Sequence, residues 1–116
     1  MKHSVFFALA ISLMIGTSAG CDRRNTLISL MEVSLSEQFE LACDNDTQCV
    51  TAVTTYGEKC FDRGLAAEAI DAEPAKQKDV NTRHILQMQR CFAESSGKDY
   101  WADLDMPTTI LSQVDN

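Results

Sequence analysis

Five cysteines carry most of the chemistry this sequence can do: Cys21, Cys43, Cys49, Cys60 and Cys91. A thiol can be acylated, can ligate a metal as thiolate, or can pair by oxidation. No Cys-x-x-Cys occurs, and no Cys/His set has zinc-finger spacing, so pairing is the expectation for most of them. Five is odd, which leaves one thiol with another role. If Cys49 and Cys60 share one continuous helix they lie about 16 Å apart along its axis. A disulfide needs Cα atoms within about 7 Å, so these two would not join. Cys43 stands one short turn before Cys49. The preferred pairing is therefore Cys43–Cys49 with Cys60–Cys91. The alternative, Cys43–Cys91 with Cys49–Cys60, requires that helix to break near Gly57.

Other reactive constellations are sparse. His84 is the one histidine after Cys21, and a lone histidine is expected to be a core or surface residue rather than a base. Asp44-Asn45-Asp46 has the look of a calcium loop but lacks its glycine and distal glutamate, so it reads as a turn. Asn45-Asp46-Thr47 is a glycosylation sequon, relevant only in a eukaryotic secretory pathway. No phosphate loop, nucleophile motif or HExxH is present. The sequence thus assigns no catalytic residue, no metal ligand and no cofactor. The stretch Asp99–Met106 mixes large aromatics with carboxylates, a composition common at protein interfaces. Tyr100, Trp101, Asp103 and Asp105 are its candidate partner-binding residues. The competing reading packs Tyr100 and Trp101 against the core.

The elements that would position these residues read as helices. Ile28, Met31, Leu35, Phe39 and Ala42 recur at three- and four-residue steps, and Ser29–Glu32 and Ser34–Glu37 match capping boxes. A helix should run through Leu41, starting at Thr26 or restarting at Ser34. Asn45 and Gln48 signal a second helix with Cys49, Val53, Tyr56 and Cys60 on one stripe and Gly64 as its stop. Leu65–Glu73 reads as a short third helix ending before Pro74. Residues 75–79 read as a polar connection. A fourth helix, capped by Asp79 or Asn81, carries Ile85, Met88 and Phe92 and ends at Gly97. One further turn around Tyr100–Leu104 precedes a C-terminal tail, 107–116. No strand pattern occurs after the leader. The expected fold is all-α, a small bundle of about four helices stapled by two disulfides, with the helical domain over 26–106.

Residues 1–20 have the three-part plan of a cleaved signal peptide: Lys2 and His3, an apolar stretch from Val5 to Ile15, then small residues. The apolar stretch is too short for a spanning helix of roughly 20 residues. An ordinary cleavage site would use Thr17 and Ala19 and cut before Gly20. Alternatively, Ser18-Ala19-Gly20-Cys21 resembles the lipobox of bacterial lipoproteins, with Ser18 standing where an apolar residue is usual. The resemblance covers only the leader and Cys21. It implies a diacylglycerol on the Cys21 thiol, cleavage before Cys21, further acylation of the new amine with palmitate-type chains, and a membrane-anchored protein in the bacterial cell envelope. Asp22 after that cysteine is similar to lipoproteins retained at the inner membrane. Residues 22–25 read as a short tether.

Charge limits the partners. Only Lys2 of the ten Lys and Arg residues precedes Cys21, whereas all seventeen Asp and Glu follow it. So acidic a chain argues against nucleic acid and against electrostatic adhesion to anionic lipid, and it suits a basic protein partner. These observations lead to a small extracytoplasmic lipoprotein, facing the periplasm or cell exterior, that binds protein as an inhibitor, an immunity or exclusion factor, or an envelope-assembly helper. A secreted, unlipidated effector or structural protein is the second expectation, and an enzyme with an unrecognised site the third.

Overall fold

The first helix opens earlier than its serines suggested. The computed structural model describes residues 20–114, with side chains from Arg23 to Ser112, and in it α1 spans Gly20–Leu41. The leader and the Cys21 side chain lie outside the described residues. Ser29 and Ser34 are interior positions of α1, so neither acts as a cap. Residues 22–25, read as a tether, belong to the same helix. Ile28 and Phe39 are buried, with Met31 and Leu35 packed beside them, so the apolar period that identified the helix also faces the core.

The chain reverses through Asp44 and Asn45, both left-handed at φ 53° and 67°. Asp and Asn tolerate that region better than other non-glycine residues. α2 then spans Thr47–Cys60, capped by Asp46, whose Oδ1 accepts from the N–H groups of Gln48 (3.0 Å) and Cys49 (3.2 Å). A cap of this kind satisfies donors that the helix cannot. Gly57 is helical and buried. A Cβ there would meet Ser36 Oγ at 3.3 Å, so the absent side chain lets α1 and α2 approach closely.

α2 stops at Cys60, before Gly64. Phe61 and Asp62 are extended, and Asp62 caps α3, Arg63–Asp71. Gly64 is therefore in the first turn of α3 and is not a stop. The segment expected to be a connection, 75–79, is instead the start of α4, Pro74–Ser96, with Pro74 at its first position. Proline suits that site because the N–H it lacks would have had no helical partner. Gly97 closes α4 at φ 85°, its N–H donating to Ala93 O at 2.8 Å. Residues expected in the tail form α5, Met106–Val114. Asp105 accepts from the Thr108 N–H and hydroxyl at 3.3 and 2.9 Å, and Met106 and Ile110 are buried.

The described residues thus hold five helices arranged as four antiparallel rods. Thr54 donates to Glu40 at 3.4 Å, Arg63 pairs with Glu32 at 3.7 Å, and Arg24 pairs with Asp71. These contacts run α2 and then α3 down the length of α1 as one broken rod. α4 returns beside that rod, with Arg83 paired to Glu68, Cys60 bonded to Cys91, and Lys59 donating to Ser95 at 3.2 Å. α5 descends against α4 and α1. The architecture is an all-α bundle.

Candidate functional site

The cysteines pair as preferred from spacing. Cys43 and Cys49 are bonded with Cα atoms 5.5 Å apart, and Cys60 and Cys91 with Cα atoms 5.4 Å apart. The first bridge clamps the left-handed turn between α1 and α2. The second ties the end of α2 to the C-terminal part of α4, at the level where the second rod breaks. Together they hold both ends of α2.

The break itself is built around His84. The Asp62 N–H donates to His84 Nε2 at 3.0 Å. One Asp62 carboxylate oxygen accepts from the Leu65 N–H at 3.0 Å and the other from Gln87 Nε2 at 2.8 Å. The Leu65 N–H chiefly, with Gln87 second, holds the Asp62 carboxyl below the usual range. Burial pushes the His84 imidazole below its ordinary value, against the opposing pull of the Asp62 charge. The ring is fully buried, 4.9 Å from that of Phe61, and its Nδ1 has no partner. As a neutral acceptor, the His84 ring closes the backbone gap between α2 and α3. Sequence reasoning missed the Asp62–His84 pair. Asp62 two residues before Gly64 was the available cap signal, and the glycine masked it.

The aromatic stretch divides in two. Trp101 is completely buried, its ring 5.0 Å from Phe39 and 5.5 Å from Phe92, and Phe39 and Phe92 are 5.2 Å apart. It forms the centre of the core, so it presents no surface to a partner. Tyr100 is half-buried, with Lys98 Nζ 5.0 Å above its ring. Asp103 is exposed, and exposed Asp105 is engaged in capping α5. Asp99 Oδ1 accepts from the Trp101 N–H at 3.0 Å and from Gln89 at 3.1 Å, so this carboxylate shapes the loop. The structure therefore keeps Tyr100, Asp103 and Asp105 at the surface and removes Trp101 from it.

Two depressions flank α5. One, of about 370 Å³, runs between α4 and α5 past Lys78, Leu86, Pro107 and Leu111. The other, about 180 Å³, has Met31, Leu35, Ile85 and Ile110 in its walls. Neither is lined by a histidine or cysteine. Among the described residues no group of three His, Cys, Asp or Glu side chains is arranged to hold a metal ion, and no helix is long and apolar enough to cross a membrane.

Fold and cysteines together define a small all-α bundle stapled by two disulfides. No protein-family model, no curated protein and no solved structure matches this chain.

Proposed function

We propose that the protein is an exported lipoprotein, with Cys21 as the acylated first residue of the mature chain, whose stapled bundle acts by binding another protein in the cell envelope. The observation that carries this reading is the cysteine count. The two bridges use Cys43, Cys49, Cys60 and Cys91, and the sequence has five cysteines. The one left over is Cys21, next to the small residues that resemble a lipobox. Structural disulfides also belong to oxidising compartments, which agrees with a leader that directs export.

The binding function is supported by the acidic composition after Cys21 and by the exposed Asp103 and Asp105 beside Tyr100. A basic envelope protein is the electrostatically complementary partner. Intact-mass measurement of protein purified from bacterial membranes tests the lipid. Diacylglycerol-type mass on Cys21, and two bridges that open on reduction, are expected. A chain beginning at Gly20 with no added mass would instead support a secreted, unlipidated protein. Cross-linking in intact cells, followed by identification of the captured partner and its charge, tests the binding role. Capture that survives Asp103→Lys/Asp105→Lys would remove this surface from it.

A further inference from the structure

Helix α1 includes residue 21 and begins at Gly20. An acyl chain on Cys21 would therefore be joined to the bundle through a helix, without a flexible tether. The first turns of that helix are pinned by the Arg24–Asp71 ion pair and by burial of Ile28. At 1.5 Å per residue, Arg23 and Arg24 stand only about 3–5 Å beyond Cys21 along the axis. That is within the headgroup layer, roughly 5–8 Å deep on each side of the hydrocarbon.

The same end of the bundle differs in charge from the other. The Arg24–Asp71 pair brings the end of α3 to the start of α1, and α4 begins three residues after Asp71. Lys76 and Lys78, in the opening turns of α4, therefore lie at the Cys21 end. Arg23, Lys76 and Lys78 are exposed, and none is in an ion pair among the described residues. With Arg24 they offset Asp71, Glu73 and Asp79, so among the described side chains this end has no acidic excess. The far end, around the Cys43–Cys49 bridge and the 97–105 loop, carries Glu40, Asp44, Asp46, Asp99, Asp103 and Asp105 against Lys98. The acidity that disfavours anionic lipid is thus unevenly distributed.

We infer that the Cys21 end of the bundle is a membrane-apposed surface, with Arg23, Lys76 and Lys78 at the anionic headgroups and the acidic end directed away. This rests on the lipoprotein reading, and it adds which face meets the bilayer and which faces a protein partner. Within about a Debye length of 8–10 Å an anionic leaflet repels the acidic end but not an end whose positive side chains balance its carboxylates. A bundle held without a tether stays within that range.

The four lysines after Cys21 allow a direct test, since Lys76 and Lys78 are at the near end and Lys59 and Lys98 are not. The full mature protein, its acyl mass verified first, is placed in phosphatidylcholine–phosphatidylglycerol vesicles and treated briefly with an amine-acylating reagent. A variant with a twelve-residue Gly-Ser insertion between Asp22 and Arg23 is treated in parallel, its folding checked by circular dichroism. Lys76 and Lys78 should react about five-fold more slowly in the natural chain than in the insertion variant, as headgroup contact predicts, with Lys59 and Lys98 equal in the two. Equal rates at all four lysines, or slowing at Lys59 and Lys98 instead, would overturn the orientation while leaving the lipoprotein reading intact. Absence of acyl mass would overturn both.

Discussion

The Asp62 N–H donates to His84 Nε2 across 3.0 Å, from the break in the second rod to the middle of α4. An acceptor at Nε2 places the proton of the neutral ring on Nδ1. The contact joins two problems. The interruption between α2 and α3 leaves a backbone donor outside any helical ladder, and the core of α4 holds a polar ring. Each satisfies part of the other, which is the usual condition for burying polar groups.

Protonation of His84 removes that acceptor, so stability should depend on pH. Burial sets the folded value below the unfolded value of 6.5. As pH falls through 6.5 the unfolded chain takes up a proton first, and stability present above that pH is lost below it, by at most about 1.4 kcal/mol per pH unit. Denaturant unfolding at pH 7.5 and 5.5 measures the loss. His84→Gln, which retains an acceptor but does not titrate, should flatten the profile over this interval. An equally steep profile in that variant would assign the dependence to other groups.

The Cys60–Cys91 bridge should contribute more than Cys43–Cys49. It spans 31 residues against 6, and loop-closure entropy of the unfolded chain rises with that length, giving about 3–4 kcal/mol against about 2 kcal/mol. Unfolding midpoints of Cys60→Ala/Cys91→Ala and Cys43→Ala/Cys49→Ala compare the two directly. Equal losses would mean that constraint of the left-handed turn, rather than loop length, dominates the shorter bridge.

Much of the architecture was legible because apolar residues recurred with helical period, and both bridges followed from the distance between Cys49 and Cys60. The errors have physical causes. The opening of α4 buries only Val80 before His84, so residues 75–79 carry no stripe, and Pro74 was read as a stop when it was a start. Residues 107–116 were read as a tail because Asp105 was not recognised as the cap of a helix that buries Met106 and Ile110. In the candidate site, the acidic surface was legible from composition. The burial of Trp101 was one of two readings, and what decides it is long-range, since Phe39 and Phe92 meet it from two other parts of the chain. The His84–Asp62 contact is likewise long-range and has no local pattern.

Asn45, at φ 67°, provides a backbone prediction. Glycine reaches this region without a Cβ penalty, so Asn45→Gly should leave stability within about 0.5 kcal/mol of the natural chain. A β-branched residue is strained there, and Asn45→Val should cost about 1–2 kcal/mol. Thermal melts of the oxidised proteins distinguish them. An Asn45→Val variant as stable as the natural chain would show that the turn relaxes despite the disulfide that brackets it.

Trp101 and Tyr100 are neighbours in sequence and should behave oppositely on substitution. Trp101 fills the space between Phe39 and Phe92, and truncating a buried aromatic of this size costs about 3–5 kcal/mol. That is a large part of a small domain's net stability of about 5–15 kcal/mol. Trp101→Ala should therefore lower the unfolding midpoint sharply and abolish the near-ultraviolet dichroism of the core. Trp101→Phe should cost much less, since the indole N–H has no partner to lose. Tyr100 meets Trp101 edge-to-face and has Lys98 over its ring, so Tyr100→Ala should cost only about 1 kcal/mol, in the range of a single ring pair. If Tyr100 contacts the partner, its loss reduces cross-linking in cells while the melt stays nearly unchanged. A Trp101→Ala protein with the natural chain's melting behaviour would contradict the central place given to this side chain in the core.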